Sequence, residues 1–510
     1  MVTSSDTDVA PTENTEHTAA DIFEQKAVRL AKRERLNAAS ADRTGGAYPV
    51  GVPITDTIAQ VRERYVHLGV DVATGDRVGI AGRIVHFRIG GKLCFAALQA
   101  GDGSRIQVMA SLAELGEESL REWKDLIDLG DHLFVSGEII TSRRGELSVL
   151  VSKWQIAAKA LLPLPNLHSE LSEETRVRSR YLDLIVREQA RRTVYDRARV
   201  NASLRRTFDS LGFLEVETPM LQVMHGGASA RPFVTRSNAF DTELYLRIAP
   251  ELYLKRALVG GIDRVFEINR NFRNEGADST HSPEFAMLEA YQAYGDYASI
   301  ADLTQRLIQD AAHAVAGSHV VTWADGTEFD LGGDWPRVSL YGTLSEAVGE
   351  EISSETPMAR LRQLADAVGI EVAHPVPGKY VEELWEHHVK QTLDRPTFVM
   401  DFPLDTSPLV REHRAVPGVV EKWDLYVRGF ELATGYSELN DPVVQRERFV
   451  AQGVLAAGGD LEAMRLDEDF LRALEFGMPP AGGMGMGIDR LLMAITGLGI
   501  RETVLFPLVK

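Results

Sequence analysis

Residues 264–294, "RVFEINRNFRNEGADSTHSPEFAMLEAYQAY", decide how the larger part of this chain folds. The two ends of this stretch alternate apolar with polar residues, as half-buried β-strands do. The middle gathers Gly, Ser, Thr and Pro, which favour turns, around side chains of opposite charge. We therefore predict a β-hairpin that carries a charged tip into the core of a domain.

A nucleoside triphosphate would explain the charges at the tip. Arg273 can hold an α-phosphate with its two-pronged guanidinium and offset the charge that develops there. Glu275, predicted to face the same side of the strand, can accept a hydrogen bond from an adenine amino group. His281 can reach the outer phosphates, and Phe285 offers a ring on which a purine stacks. The alternative is a surface hairpin whose charges pair with one another.

The rest of residues 180–510 indicates an antiparallel sheet flanked by helices, because strand-like segments follow one another without intervening helices. This makes the fold class α+β. The helix-like segments include residues 187–212 and 296–317. The strand-like segments include "ELYLRIA" (243–249), "TFVMDFP" (397–403), "KWDLYVRGFELATG" (422–435) and "TVLFPLV" (503–509).

An earlier part of the chain, from about residue 76 to 157, predicts a small β-barrel. Short strand-like segments separated by glycine-containing turns follow one another here, and a helical segment at 113–127 precedes the fourth strand. Five strands in this arrangement are typical of the oligonucleotide-binding (OB) barrel. A generic small barrel is the alternative.

These patterns divide the 510 residues into five segments, as expected for a chain too long for one core. Between the tail and the barrel, "DIFEQKAVRLAKRERLNAAS" predicts a helix with a basic face. The predicted segments are a disordered tail (1–20), a helical extension (21–65), the OB barrel (66–165), a linker (166–180) and the large domain (181–510).

The composition is that of a soluble globular protein, with 44% apolar and 25% charged residues. Cys94 is the only cysteine, which excludes an internal disulfide and a thiolate zinc cage and predicts a reducing cytoplasm. We expect no membrane span and no secretory signal. The net charge of −19 argues against a general nucleic-acid coat protein, although local basic surfaces stay possible.

Three sequence motifs resemble the signature motifs of the class II aminoacyl-tRNA synthetases, and they follow one another along the chain in the order typical of that family. The hairpin tip (272–285) resembles their second motif. "LGFLEVETPML" (211–221) resembles the first, which implies a homodimer interface around Pro219. "GGMGMGIDRLLMAITG" (482–497) resembles the third and supplies Arg490, which would stack on the purine or meet the γ-phosphate. The glycines of this motif would let the backbone approach the adenosine closely.

The stretch 226–276 closely resembles bacterial lysyl-tRNA synthetases, and the likeness extends from about residue 70 to residue 510. From the residues alone, two carboxylates converging on an apolar site need a cation, and the ammonium of a lysine substrate would be that cation. Ordinary exposed glutamates are the alternative. The resemblance implies a lysine-binding set: Gly227 and Glu251 for the α-amino group, Arg273 for the carboxylate, and Glu289, Tyr291 and Glu438 for the side chain.

The resemblance also implies that Asp424 and Glu431 bind the Mg²⁺ ions that bridge the phosphates of ATP, since carboxylates suit such hard cations. Two positions depart from the usual family pattern. Thr434, in the lysine site, stands where asparagine is usual, and would hold the substrate carboxylate with one hydrogen bond fewer. Asp424 stands where glutamate is usual, and its shorter side chain would change the position of the metal.

In the barrel, the resemblance implies contacts with the anticodon of tRNA(Lys). Phe95 matches the aromatic residue on which the central uridine stacks, and Gln107 matches the residue that hydrogen-bonds that base. Arg83 and Glu146 are weaker candidates. Phe95 could equally be a residue of the barrel core. The basic helix would contact the tRNA backbone.

The implied reaction joins L-lysine to ATP as lysyl-adenylate and then transfers lysine to the 3′ end of the tRNA. Three alternatives stay open at this point. One is an aspartyl- or asparaginyl-type synthetase, which acidic residues at 289 and 438 disfavour. The others are a paralogue that lysylates a protein or a lipid, and a non-catalytic RNA-binding protein on the same fold.

Overall fold

The computed structural model describes residues 19–39, 45–165, 170–228, 230–276, 281–372, 375–457, 464 and 466–509. The chain divides into two compact units, residues 1–191 and 192–510. Almost all of the predicted disordered tail and the first four residues of the predicted linker lie outside the described residues.

The first unit contains a closed five-stranded barrel with the strand order β1-β2-β3-β5-β4. The helix predicted before the fourth strand is present as α3, and the OB-type fold is thereby confirmed. The elements of this part are α1 (Ala19–Ala39), α2 (Ile58–Arg64), β1 (Ala73–Arg88), β2 (Leu93–Gln99), β3 (Arg105–Ser111), α3 (Leu112–Leu126), β4 (His132–Thr141) and β5 (Leu147–Ala158). They are followed by α4 (Glu173–Arg178), α5 (Arg180–Val186) and α6 (Glu188–Ser210).

The barrel encloses a core because its strands turn alternate side chains inward over much of their length. In β2, for example, Cys94, Ala96 and Leu98 are buried in the core, while the residues between them face outward. Trp123 of α3 is fully buried and packs edge-on against Trp154 of β5, which attaches the helix to the barrel. Burial of these side chains is the main source of the unit's stability.

The predicted basic helix is present as α1, but part of its charge is used inside the unit. Arg29 is buried and donates hydrogen bonds to the carbonyls of Ala160 (3.0 Å) and Leu162 (3.1 Å). Lys32 forms an ion pair with Asp128 at 2.7 Å. These two basic residues therefore hold the helix within the barrel unit, and they are not available to the tRNA backbone as the sequence had suggested.

The second unit is built on an eight-stranded sheet with the order β14-β15-β16-β17-β18-β11-β10-β6. Its neighbouring strands are antiparallel except for the outer pairs β14/β15 and β10/β6, which are parallel. The strands are β6 (Leu214–Glu215), β7 (Leu221–Gln222), β8 (Val234–Ser237), β9 (Thr242–Leu246), β10 (Arg264–Phe272), β11 (Glu284–Ala293), β12 (Val320–Thr322), β13 (Glu328–Asp330), β14 (Arg337–Ser339), β15 (Thr397–Pro403), β16 (Val419–Val427), β17 (Phe430–Ser437) and β18 (Ala481–Gly487).

Helices cover the faces of this sheet, so the predicted α+β class is confirmed. The predicted hairpin is the pair β10/β11, with Glu267 opposite Glu289 at its centre. Helix α8 begins at an Asp296 capping box and contributes eight buried residues. The helices are α7 (Glu251–Val259), α8 (Tyr297–Ala316), α9 (Leu340–Val348), α10 (Met358–Ala367), α11 (Pro377–His388), α12 (Pro442–Ala457), α13 (Glu468–Glu475), α14 (Ile488–Thr496) and α15 (Ile500–Thr503).

The strand predicted for "TVLFPLV" (503–509) is wrong. Helix α15 ends at Thr503, and residues 504–509 form neither a strand nor a helix. Val504 is buried, but Phe506 and Leu508 are 67% and 74% exposed, so the later part of this apolar run does not enter the core. Pro507 has no backbone N–H to donate to a sheet, which disfavours a strand at this position.

The first motif follows α6 and enters the sheet through β6, which runs parallel to β10. The residues after β6 are held in place by Arg247, whose fully buried side chain forms an ion pair with Glu267 at 2.7 Å. Glu267 in turn accepts a hydrogen bond from the Thr218 hydroxyl at 2.6 Å, beside Pro219.

Among the described residues, no helix has the length and apolar character that a membrane span requires.

Candidate active site

A cavity of about 430 Å³ opens in the second unit over the central strands of the large sheet. It brings together side chains that are far apart in the sequence, because β11, β16, β17 and β18 are neighbours in the sheet. The predicted residues that line it are Gly227, Glu251, Arg273, Glu275, His281, Phe285, Glu289, Tyr291, Asp424, Glu431, Thr434 and Arg490. Glu438 is the one predicted residue of this unit that does not line it.

The charged tip of the hairpin lies at one end of the cavity, although not quite as predicted. Strand β10 ends at Phe272, so Arg273 and Glu275 lie in the following loop, and the prediction that they share a strand face is wrong. The guanidinium carbon of Arg273 lies 5.1 Å from the centre of the Phe285 ring. Its Nε is buried, with no hydrogen-bond partner in the part of the chain that the structure describes. Arg273 therefore keeps a donor for an incoming anion.

Three carboxylates gather at the opposite end: Glu251, Glu289 and Glu438 are 5%, 3% and 1% exposed. The alternative that these glutamates are ordinary exposed residues is therefore wrong. Tyr291 lies on the same strand face as Glu289, as predicted, and donates a hydrogen bond to its Oε2 at 3.0 Å. Burial, together with the nearby charge of Glu251, raises the pKa of Glu289 to about 8.

A residue that the sequence reasoning missed lies among these carboxylates. Lys255 of α7 is fully buried, and its Nζ lies 2.7 Å from Glu251 Oε1 and 2.5 Å from Glu438 Oε2. Burial raises the pKa of Glu438 to about 7 even beside this ammonium, and Glu251 adds to the effect. The signal was present in "ELYLKRALV", where Glu251 and Lys255 are four residues apart on one helix face.

Glycines let these side chains approach the backbone. A Cβ at Gly483 would overlap Glu438 Oε1 and would lie 2.5 Å from a Tyr291 ring carbon. A Cβ at Gly485 would lie 2.6 Å from the end of Met287. The prediction was that the glycines of the third motif admit adenosine; at these two positions they admit the protein's own side chains. Gly227 has φ +86°, which explains why this position is glycine.

The two positions that depart from the usual family pattern contact each other. Asp424 and Thr434 are opposite residues on β16 and β17, and the Thr434 hydroxyl donates a hydrogen bond to Asp424 Oδ1 at 2.6 Å. Lys422, which sequence reasoning also missed, places its Nζ 3.1 Å from Asp424 Oδ2. Burial raises the pKa of Asp424 to about 6, because it outweighs the attraction of Lys422. Lys422 and Asp424 are two apart in one strand, which was the available signal.

Arg490 is positioned by the first turn of α14. Its Nη1 donates a hydrogen bond to the Glu431 carbonyl at 2.7 Å and lies 4.0 Å from Glu431 Oε1. The preceding residue, Asp489, fixes the helix on the hairpin by accepting the backbone N–H of Ala286 at 2.9 Å. Asp489 also forms an ion pair with Arg197 at 2.5 Å. The predictions did not include it.

The four barrel candidates lie within the first unit. Phe95 is partly exposed between buried neighbours, so it is not a core residue, and the guanidinium of Arg88 covers its ring at 4.9 Å. Gln107 lies one row away on the same outer face and donates a hydrogen bond to Ser148 at 2.8 Å. Arg83 is bound to the carbonyl of Gly130 at 2.9 Å, opposite Gln99 rather than Phe95. Glu146 is exposed beside the β4–β5 turn.

A five-stranded OB barrel and an antiparallel sheet that carries these three motifs are the parts of a class II tRNA synthetase. Two family models match the chain accordingly: "tRNA synthetases class II (D, K and N)" over residues 172–510 and "OB-fold nucleic acid binding domain" over residues 78–157. The chain belongs to this class II tRNA synthetase family.

Individual relatives are similar over almost the whole chain. A protein of Kineococcus radiotolerans named lysine–tRNA ligase is 66% identical, and one of the same name from Mycolicibacterium gilvum is 62% identical; each match covers 96% of this chain and 98% of the relative. A lysylphosphatidylglycerol biosynthesis bifunctional protein of Nocardia farcinica is 48% identical over 96% of this chain but only 43% of its own length.

Proposed function

We propose that this chain is an ATP-dependent lysine–tRNA ligase, which forms lysyl-adenylate and transfers lysine to the 3′ end of tRNA(Lys). The observation that carries the proposal is the charge of the buried pocket. The pocket buries three carboxylates, Glu251, Glu289 and Glu438, and one ammonium, that of Lys255, which pairs with Glu251 and Glu438; two negative charges are left when all are ionised. A free lysine brings two ammonium groups, one at each end.

The cavity also orients this substrate. Glu289 and Tyr291 would bind the side-chain ammonium, with Glu438 behind them. Glu251 and the Gly227 backbone would receive the α-amino group. The substrate carboxylate would turn toward Arg273 and Thr434, which places it between the anionic pocket and the phosphate-binding residues. An aspartate side chain in the same pocket would leave buried like charges facing each other, which disfavours the aspartyl-type alternative. The neutral amide of asparagine would leave the buried carboxylates without a cation, which disfavours the asparaginyl-type alternative.

The other end of the cavity suits ATP. Arg273 and Arg490 supply cations for the phosphates, and His281 lines the same region. The Phe285 ring offers a stacking surface, and Glu275 an acceptor for the adenine amino group. The lysine carboxylate is itself the nucleophile, so the chain aligns the reactants and offsets the charge at the α-phosphate.

Asp424 and Glu431 fit Mg²⁺ as ligands. Both line the cavity, their oxygens are the hard donors that Mg²⁺ prefers, and buried Asp424 has a raised pKa that a cation would reverse. Among the described residues, no group of three or more His, Cys, Asp or Glu could hold a metal ion, so the phosphates of ATP and water would complete the shell. A bound Mg²⁺ supplies charge neutralisation at the phosphates.

The barrel supports tRNA as the acceptor. Phe95 and Gln107 present a ring and an amide on one outer face, in adjacent rows, which suits stacking and hydrogen bonding of an unpaired base. Glu146 would contribute at the edge of this face. Arg83 is the weakest of the four candidates, because its side chain is already bound to Gly130.

We also propose that the protein is a cytoplasmic homodimer joined through the first motif. Around Pro219, four apolar side chains are exposed: Leu214, Met220, Leu221 and Val223, at 54%, 46%, 51% and 68%. Large apolar side chains exposed together in one short segment suit a protein interface. Light scattering of the intact protein should give twice the chain mass, and Val223→Glu should give a monomer.

The decisive experiment is amino-acid-dependent ATP–pyrophosphate exchange with lysine, aspartate and asparagine, followed by aminoacylation of tRNA(Lys). We expect exchange with lysine alone, and then charging of the tRNA. Exchange with aspartate or asparagine, or no exchange at all, would overturn the proposal. Lysine exchange followed by transfer to phosphatidylglycerol rather than to tRNA would overturn the acceptor and keep the activation step.

A further inference from the structure

Lys255 belongs to the pocket without lining the cavity. Its ammonium is fully buried beneath the cavity and bridges two glutamates on different elements, Glu251 on α7 and Glu438 just after β17. It is therefore not a substrate contact. It nevertheless fixes two of the three carboxylates that give the pocket its charge.

We propose that Lys255 is a positioning residue that sets the specificity of the pocket for an amino acid with two cationic groups, by holding Glu438 ionised behind Glu289 and Tyr291. This inference rests on the proposed function. It adds that the resident ammonium is needed for lysine to bind, although it has the same charge as the substrate.

The surroundings of Glu438 explain this requirement. Apart from the ion pair with Lys255, neither of its carboxylate oxygens has a hydrogen-bond partner in the described part of the chain. The backbone of Gly483 and the ring of Tyr291 close around it. Two further acidic groups, Glu251 and Glu289, act on the same buried space. A buried carboxylate in this setting takes up a proton once its cation is removed.

Loss of Lys255 would therefore remove two charges of opposite sign, so the net charge of the pocket stays the same but one negative charge is lost from its side-chain end. The ammonium disappears with the substitution, and Glu438 becomes neutral by protonation. The side-chain ammonium of a lysine substrate then faces Glu289 without the charge of Glu438 behind it. Binding of lysine weakens, whereas the phosphate-binding end around Arg273 and Arg490 is unchanged.

The alternative is that Lys255 only stabilises the fold, and the chain offers a matched control for it. Lys159 in the barrel unit is also fully buried, and its Nζ lies 2.5 Å from Asp128 and 2.7 Å from Asp131. Lys159→Met removes an ammonium of the same burial and the same number of acidic partners, from a unit that does not contain the cavity.

The test compares Lys255→Met with Lys159→Met in lysine-dependent ATP–pyrophosphate exchange. We expect Lys255→Met to raise the KM for lysine about 100-fold, as loss of one partner from a buried charge pair does, with the KM for ATP within about twofold. Lys159→Met should leave both KM values within about twofold, because the site is independent. Thermal unfolding checks that each variant is folded. If Lys255→Met does not fold, Lys255→Gln, which keeps a hydrogen-bond donor without the charge, decides the question.

A double-mutant cycle separates positioning from general damage. Because Glu438 is neutral in Lys255→Met, adding Glu438→Gln should change the lysine KM by less than about threefold, although Glu438→Gln alone raises it strongly. Multiplying effects, a normal lysine KM in Lys255→Met, or equal rises in the lysine and ATP KM values would overturn the role of Lys255. Absence of lysine-dependent exchange in the unsubstituted protein would instead overturn the proposed function.

Discussion

Two buried lysines of this chain, Lys159 and Lys255, have nearly the same local geometry and opposite surroundings. Lys159 in the barrel and Lys255 under the cavity each bridge two acidic residues at 2.5 and 2.7 Å. In the barrel, Lys159 also donates to the carbonyl of Leu126, and Lys32 supplies a second ammonium to Asp128. Two cations there match two carboxylates. Around the cavity, one ammonium pairs with two carboxylates, and a third carboxylate, Glu289, has no ion pair among the described residues.

The pKa values follow this balance. Burial alone would raise the pKa of Asp128, but hydrogen bonds from Lys159 and Lys32 outweigh it and lower the pKa. Asp131, the more deeply buried partner, keeps a raised pKa because burial outweighs Lys159. In the cavity the pKa values of all three glutamates are raised, chiefly by burial. A balanced network joins parts of the fold, whereas an excess of buried carboxylate favours a cationic ligand.

The largest effect that we expect comes from removing Arg273, a cation at the phosphate-binding end of the cavity. Arg273→Ala should lower the rate of lysine-dependent pyrophosphate exchange by about 1000-fold or more, since a donor to the developing charge is lost. The measurement is exchange at saturating ATP and lysine, with thermal unfolding as the control for folding. Near-normal exchange in this variant would remove Arg273 from the reaction.

Substitution of an unbalanced carboxylate should come next. Glu289 has Tyr291 as a donor and forms no ion pair among the described residues, so Glu289→Gln should raise the KM for lysine about 100-fold and leave the KM for ATP unchanged. The matched change in the balanced network is Asp131→Asn, which should cost about 3 kcal/mol of stability and leave both KM values unchanged. Equal rises in the lysine and ATP KM values for Glu289→Gln would mean that Glu289 does not belong to the lysine pocket.

Much of the fold could be predicted from periodicity, because most strands have one buried face. The alternation in "RVFEINRN" and "LCFAALQ" predicted β10 and β2 as they are. The same reasoning failed at "TVLFPLV", where an apolar run with a proline lies on the surface. Composition alone does not tell a strand from an exposed apolar end, since the difference depends on which sheet edge is available to pair.

The residues of the candidate site that belong to a motif could be predicted from the sequence, whereas residues that act through another side chain were missed. Glu289 and Arg273 were found because their charge is unusual in a hairpin. Lys255, Lys422 and Asp489 were missed, because each looks like an ordinary surface charge until the fold buries it against a partner. The sequence pattern gives the face of an element, but not which distant carboxylate lies opposite it.

The pocket carboxylates and Asp128 of the barrel should change stability with pH in opposite directions. Glu289 and Glu438 have folded pKa values raised to about 8 and about 7 from an ordinary 4.5, so the folded, lysine-free protein holds more protons than the unfolded chain. Its stability should therefore fall as pH rises from about 5 to 8, and lysine binding, which needs the ionised carboxylates, should strengthen by up to about tenfold per pH unit. Asp128, whose pKa is lowered, stabilises the barrel throughout this window and loses that contribution only in acid.

Calorimetric titration of L-lysine into the ATP-free protein at pH 6, 7 and 8 measures this dependence. Two buffers of different ionisation heat should show proton release on binding, and Glu289→Gln should release fewer protons than the unsubstituted protein. A lysine affinity that stays constant between pH 6 and 8 would contradict the raised pKa values of the pocket.

The smallest effect should come from the outer face of the barrel, where no charge is buried. Phe95→Ala removes one stacking surface, worth about 1–3 kcal/mol, so the KM for tRNA(Lys) should rise about tenfold. Pyrophosphate exchange, which needs no tRNA, should stay unchanged, and Phe95→Tyr should restore the tRNA KM because it keeps the ring. A fall in exchange after Phe95→Ala would mean that the ring supports the fold. Because Phe95 is partly exposed between buried neighbours, its loss should leave the core intact. An unchanged tRNA KM in the folded variant would therefore mean that the anticodon binds elsewhere.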